Sequence, residues 1–209
     1  MCHQNRFDKA AATWDDNPRR LATSRAVAIG IRKTIPLNPA IKALDIGCGT
    51  GLVSLQLAPL VNKLTALDSS EKMLAELEKK AAALGLTNVS TLLVDLEHRP
   101  IPGGPYDLIF SSMTFHHIKA PLKVLQKIFA ALAPGGRVAV ADLEAEDGTF
   151  HSDMTSVEHL GFAHSEMLRL LARAGFRQCT CDQVYTVEKL KDDGTTRTYP
   201  LFLATGVKP

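Results

Sequence analysis

Residues Ala43 to Leu52 read Ala-Leu-Asp-Ile-Gly-Cys-Gly-Thr-Gly-Leu, a short apolar run that passes directly into three alternate glycines. Lys42 to Ile46 is apolar enough for an interior parallel strand, and Gly47, Gly49 and Gly51 permit a turn and a backbone approach that any Cβ would obstruct. Leu52 to Leu60 then begins a helix whose free N–H groups would face a ligand at the turn. The expectation is an α/β fold with a site for a small nucleoside-like cofactor.

Spacing separates two kinds of glycine loop. A dinucleotide fingerprint needs Gly-x-Gly-x-x-Gly/Ala, and counting from Gly47 and Gly49 its third small residue would fall on Leu52, whose bulk spoils close helix packing. What stands is Asp45-x-Gly47-x-Gly49-x-Gly51. This resembles motif I of the class I S-adenosylmethionine-dependent methyltransferases, in particular the small-molecule branch that includes the ubiquinone and menaquinone C-methyltransferases. The resemblance covers about residues 40 to 206. It implies a Rossmann-like, doubly wound sheet, seven-stranded and mostly parallel, closed by a C-terminal antiparallel hairpin. The chain is then a single domain, with residues 1–39 a helical lid over a core of residues 40–206.

Composition bounds the function classes. The 209 residues are 45% hydrophobic and 22% charged, an ordinary globular balance for one domain. Net charge is +2, so no global field points to nucleic acid or to an anionic membrane. Cys2, Cys48, Cys179 and Cys181 lack Cys-x-x-Cys spacing, which fits reduced thiols in a cytoplasmic protein. The N-terminus has no apolar signal core, and no run approaches the ~18 residues of a membrane helix.

Further along, Asn17 is placed to cap a helix from Pro18 to about Lys33, whose Arg19, Arg20, Arg25, Arg32 and Lys33 read as a solvated face. Lys63 to Leu67 is a second strand ending in Asp68, about 20 residues past the glycine loop, the place for a carboxylate that accepts both ribose hydroxyls. Ser69 and Ser70 cap a helix to Leu84. Val89 to Val94, Tyr106 to Ser112 and Arg137 to Asp142 are further strands, and Leu122, Leu125, Ile128, Phe129 and Leu132 form a helical stripe. Residues 143–163 form an irregular insertion bordering the acceptor pocket, after which Ser165 caps a helix to Gly175. Gln178 to Lys189 and Thr198 to Thr205 flank a hairpin turn at Asp192-Asp193-Gly194.

The family resemblance assigns roles to these positions. Asp45 would orient the glycine loop and the cofactor ammonium, with Gly47, Cys48, Gly49 and Gly51 around the methionine moiety. Asp68 and its neighbour Ser69 would serve the ribose, Met73 the adenine surroundings, and Asp95 with Leu96 the adenine itself. Ser111 would offer backbone near the methionine end. The segment Met113-Thr114-Phe115-His116-His117-Ile118 resembles the family's post-strand motif, which faces the transferred methyl.

His116 or His117 can take the proton an acceptor must lose. Being adjacent, they would point to opposite sides of an extended segment. Trp14, His151 and His159 are candidates for the acceptor pocket. His151, His159 and His164 lack helical zinc spacing, so no metal is expected. The cofactor expectation is S-adenosylmethionine, with S-adenosylhomocysteine as product, and the partner expectation is a small-molecule acceptor rather than nucleic acid. A homodimer is the assembly to test. A non-catalytic cofactor-binding partner of the same fold is the alternative function, and a nicotinamide oxidoreductase the weaker third.

Overall fold

The computed structural model describes residues 2–191 and 194–209, with side chains from Arg6 onward; Asp192 and Asp193 of the expected hairpin turn lie outside the described residues. In chain order the elements are α1 (Cys2–Ala10), a 3-10 turn (Ala11–Asp16), α2 (Pro18–Thr34), β1 (Lys42–Ile46) and the four-residue α3 (Ser54–Leu57). There follow β2 (Lys63–Asp68), α4 (Glu71–Ala83), β3 (Val89–Leu93), β4 (Tyr106–Ser112), a 3-10 turn (Phe115–His117) and α5 (Pro121–Ala131). Then come β5 (Leu132–Leu143), α6 (His164–Ala174), β6 (Arg177–Leu190) and β7 (Thr196–Val207).

Seven strands form one sheet in the order β3-β2-β1-β4-β5-β7-β6. The first five pair in parallel, and β7 is antiparallel to both β5 and β6. This is the doubly wound sheet with a terminal antiparallel hairpin that the sequence implies. Strand order reverses between β1 and β4, where a doubly wound sheet opens a crevice at its carboxyl edge.

Side-chain alternation along β1 decides which layer each residue meets. Leu44 and Ile46 join Leu125 and Ile128 of α5 and Leu171 of α6 in one buried layer, while Ala43 joins Val27 and Ile31 of α2 and Leu77 of α4 in the other. Asp45 shares Ala43's face and is therefore carried into an apolar layer.

Helix ends differ from the sequence reading in two places. Ser70, not Ser69, caps α4, its Oγ accepting from Met73 N at 3.2 Å. Ser165 lies inside the first turn of α6, whose N-cap is Ala163 with no side-chain bond. No helix among the described residues is long and apolar enough to cross a membrane.

Candidate active site

The turn after β1 is the centre of the site. Gly47, Gly49 and Gly51 all take positive φ, at +66°, +53° and +82°. A Cβ on Gly47 would stand 2.4 Å from the Thr114 side chain, and one on Gly51 2.6 Å from Leu77 Cγ, whereas one on Gly49 would meet nothing within 4 Å. So Gly47 and Gly51 are required by the fold, and Gly49 keeps space open.

The expected helix over residues 52–60 is the short α3 continued to its expected end by a 3-10 turn (Ala58–Leu60), and the loop amides are not free. Gly47 N and Cys48 N both donate to Leu67 O, Gly51 N to Cys48 O, and Gly49 N to Asp68 Oδ2 at 2.8 Å. Asp68 Oδ1 accepts from Ser70 N at 2.9 Å. Asp68 thus ties the glycine loop to the start of α4. Burial raises its pKa, against these backbone bonds.

Asp45 is 2% exposed, and its Oδ2 accepts from Ser54 Oγ at 2.5 Å. Its Oδ1 is buried with no partner, and burial pushes its pKa up to about 8. A buried carboxyl with one unsatisfied oxygen beside a glycine turn suits a ligand cation.

A cavity of about 630 Å³ runs along the carboxyl edge of the sheet from Asp95 beyond β3, past Asp68 and Asp45, to His116 beyond β4 and Lys189 of β6. Cys48, Ser69, Met73, Leu96, Trp14, His117 and His151 also line it. Three expected site residues are not in its wall. Gly51 faces Leu77. Ser111 is buried, with Oγ donating to Ile46 O at 2.8 Å, and Ser112 borders the cavity in its place. His159 braces the insertion instead, with Nε2 at 3.0 Å from Ile118 O and its ring 5.0 Å from Phe162.

The two adjacent histidines do not diverge. Residues 115–117 form a 3-10 turn, not an extended segment, and the rings of His116 and His117 lie 4.0 Å apart. Thr114, whose Oγ1 donates to Gly47 O at 3.2 Å, binds this turn to the glycine loop, while Met113, at φ +55°, donates its N–H to Ala141 O of β5 at 2.8 Å.

His116 is 1% exposed and its Nδ1 lies 2.6 Å from Asp142 Oδ1 at the end of β5. Asp142 also accepts from Leu143 N at 2.7 Å and from His116 N at 3.3 Å. Burial works against its charge, but His116 and these bonds outweigh it and hold the carboxyl below its ordinary value. An ionised carboxylate only accepts, so Nδ1 carries a proton, and in the neutral form of the ring Nε2 is the nitrogen that presents a lone pair. That Nε2 and the Nε2 of His151 are both buried without a partner, on rings 4.9 Å apart. Burial, then the charge of His116, pushes His117 down to about 3 and His151 to about 4, so both are neutral near pH 7.

Asp142 is the residue sequence reasoning passed over. Its signal was available: an acid closing an apolar strand beside the post-β4 motif, since β4 and β5 are paired neighbours.

Sheet order, strand-edge cavity and glycine turn together define a doubly wound α/β protein built around a nucleoside cofactor. Comparison with known proteins narrows this. Residues 43–136 match the family model described as a methyltransferase domain. The chain is 31% identical over 144 residues to the malonyl-[acyl-carrier protein] O-methyltransferase of Marinomonas sp., covering 66% of this chain and 50% of that one. It is 32% identical over 163 residues to a ubiquinone biosynthesis O-methyltransferase of Caulobacter sp., covering 66% and 61%. A S-adenosylmethionine-dependent methyltransferase from Aquifex aeolicus superposes with a TM-score of 0.69 at 24% identity, covering 99% of this chain and 98% of that structure.

Residues 43–136 thus form a methyltransferase domain, and the chain has the fold of the class I S-adenosylmethionine-dependent methyltransferases. It spans about half to three-fifths of the length of the curated relatives it matches. The site fits S-adenosylmethionine by its own observations: the unpartnered Asp45 oxygen, the clearance at Gly49, and the acid at the end of β2 that borders the cavity while its oxygens hold backbone N–H groups of the glycine loop and of the start of α4.

Proposed function

We propose that the protein transfers a methyl group from S-adenosylmethionine to a hydroxyl of a small-molecule acceptor, with His116 as the base that takes the hydroxyl proton. The observation that carries this reading is the buried His116–Asp142 pair, whose unpartnered Nε2 belongs to a residue in the wall of the same cavity as the glycine loop.

The cofactor supplies an electrophilic methyl carbon on a sulfonium. Asp45 meets the ammonium, and the Gly47 to Gly51 backbone, with Cys48 packed behind it, surrounds the methionine end. Asp68, at the cavity wall beside Ser69, receives the ribose hydroxyls. Asp95, Leu96 and Met73 surround the adenine. Ser111 acts indirectly, by fixing the end of β1 through Ile46 O.

Displacement at a methyl carbon needs alignment and exclusion of water more than side-chain chemistry. Residues 1–39 serve as the lid that excludes water, supported by Asp15 accepting from Thr50 Oγ1 (2.6 Å) and Lys80 Nζ (2.5 Å), and by Asp8 accepting from Ser70 Oγ (2.5 Å). Asp142 holds the His116 ring and stabilises the imidazolium formed when the proton arrives. His151 and Trp14 border the acceptor. Both curated relatives named above are O-methyltransferases, which favours oxygen as the acceptor atom. The reading places the protein in the cytoplasm, consistent with free Cys48, Cys179 and Cys181, and a homodimer is testable by sedimentation.

Transfer from a methyl-labelled donor to a panel of hydroxylated small molecules tests the proposal. His116→Ala should lower the rate by about 10²- to 10⁴-fold, the range of general-base catalysis, while S-adenosylhomocysteine binds as before. Wild-type rates in that variant would overturn the assignment.

A further inference from the structure

Three cations that form no close ion pair among the described residues line the cavity beyond His116. Arg19 and Arg20 stand in the first turn of α2 and Lys189 near the end of β6, and all three border the cavity. Among the described residues none of them forms an ion pair within 4.0 Å. Arg6 and Lys119, the other Arg and Lys residues in the wall, are already paired: Arg6 with Asp153 at 3.5 Å, also donating to Ser156 Oγ at 2.7 Å, and Lys119 with Glu158 at 4.0 Å.

Two acids act on this cluster, Asp15 on Arg20 and Glu146 on Lys189, without reaching ion-pair distance among the described residues. Asp15 accepts from Lys80 and Thr50, and Glu146 Oε2 from the backbone N–H groups of Thr149 and Phe150 at 2.8 and 3.0 Å, while Glu146 Oε1 is buried without a hydrogen-bond partner. Arg25, Arg32 and Lys33 of the same helix lie outside the cavity; in the first turn Arg20 is half-buried in its wall and Arg19, though exposed, borders it.

Two of the three cations are held in position by aromatic faces. The Arg20 guanidinium lies 3.6 Å from the Trp14 ring centroid and donates to Trp14 O at 3.0 Å. The Lys189 ammonium lies 3.8 Å from the Phe150 ring centroid and donates to Phe150 O. Their charges act on one another across the cavity: Lys189 is pushed down to about 8, first by burial and then by Arg19, and Arg20 is lowered by burial, Arg19 and Arg6. Like charges gathered without a counterion cost folding free energy, and a bound anion removes that cost.

The cluster is also connected to the reacting end. Phe150 stands 4.8 Å from the His151 ring, and His151 4.9 Å from His116, so two ring contacts separate the cation under Lys189's ammonium-bearing arm from the proposed base. We propose that the acceptor carries an anionic group, a carboxylate or a phosphoryl group, which Arg19, Arg20 and Lys189 hold while its hydroxyl lies at His116. This rests on the reading of the cavity given under the proposed function. Arginine offers paired N–H donors to either anion, and the rings of Phe150 and His151 face the body between the two ends.

The test is calorimetric titration of benzoate, phenyl phosphate and neutral benzamide into the full chain, with and without S-adenosylhomocysteine, at low and high salt. At least one anion should bind ten times or more tighter than benzamide, with the preference shrinking in high salt and disappearing in the Arg19→Gln/Lys189→Gln double variant. Preference for benzoate alone assigns a carboxylate, and for phenyl phosphate alone a phosphoryl group. No saturable binding of either anion, benzamide binding as tightly as both, or an undiminished preference in a double variant that melts like the wild type would overturn the proposal. Failure of the methyl-transfer reading looks different: absent S-adenosylhomocysteine binding, or full activity in His116→Ala, with the anion preference intact.

Discussion

Asp142→Asn isolates the charge of the buried pair from its geometry. Asp142 Oδ1 takes the two short bonds, from His116 Nδ1 at 2.6 Å and Leu143 N at 2.7 Å, and Oδ2 only the long one from His116 N at 3.3 Å. An asparagine that keeps its carbonyl oxygen at the Oδ1 position retains both short bonds and loses the long one, because its NH2 faces the His116 N–H donor to donor. The ring orientation and the Nδ1–H tautomer survive, and the negative charge is lost. A hydrogen bond to a charged group, worth about 1.5–3 kcal/mol, becomes a neutral one of about 0.5–1.5 kcal/mol. The imidazolium formed in the transition state also loses its only adjacent counterion in a site where both residues are at most 1% exposed. Together these effects raise the barrier by about 1.5–3 kcal/mol, a fall of about ten- to a hundredfold in rate. Single-turnover transfer from a methyl-labelled donor measures it, with S-adenosylhomocysteine affinity as the control. A wild-type rate in the variant, or a rate loss matched by an equal loss of cofactor affinity, would refute the reasoning.

The glycine turn gives a paired prediction: Gly51→Ala, whose Cβ meets Leu77 at φ +82°, should lower stability by about 1–3 kcal/mol in denaturant titration. Gly49→Ala, with open space at its Cβ, should chiefly lower S-adenosylhomocysteine affinity in calorimetry. Asp45, near 8 in the free protein, is mostly protonated at pH 7 and must ionise to meet an ammonium, so cofactor binding should release a proton and tighten as pH rises toward about 8. Equal binding enthalpies in phosphate and Tris at pH 7 would contradict this. Asp15→Ala removes the tie to Thr50 and Lys80, and about 1 kcal/mol of local stability corresponds to about fivefold faster proteolysis within residues 1–17 at nearly constant melting temperature.

The cofactor side of the cavity was legible because its determinants are local. A strand, a glycine turn and acids at strand ends follow from alternation and spacing, and the ranges of β1 and β4 coincide with those read from the residues. Asp68→Ala is a poorer probe than the sequence implies, because Asp68 also anchors Gly49 N and Ser70 N; Asp68→Asn, which keeps one acceptor, is the better one. The acceptor side was not legible. His116 meets Asp142 only through the pairing of β4 with β5, and Lys189 reaches the cavity only because β6 runs parallel to β5 with β7 between them. Arg19 and Arg20 read as a solvated face since nothing local distinguishes the first turn of α2 from the rest of it. His159 was misplaced because an irregular insertion carries no periodicity to aim its side chains.

The hairpin at the end of the chain serves two purposes at once. β7 supplies the last large apolar layer beside β5, while β6, held outside it, delivers Val187 and Lys189 to the cavity. On the proposed reading, acceptor recognition is distributed over α2's first turn, the insertion and the final hairpin, all outside the stretch that builds the glycine turn. A change of acceptor can accumulate in those three segments while the methyl-donor machinery stays untouched. In laboratory evolution the same division marks where to randomise: α2's first turn, residues 150–152 and β6, leaving residues 43–114 fixed.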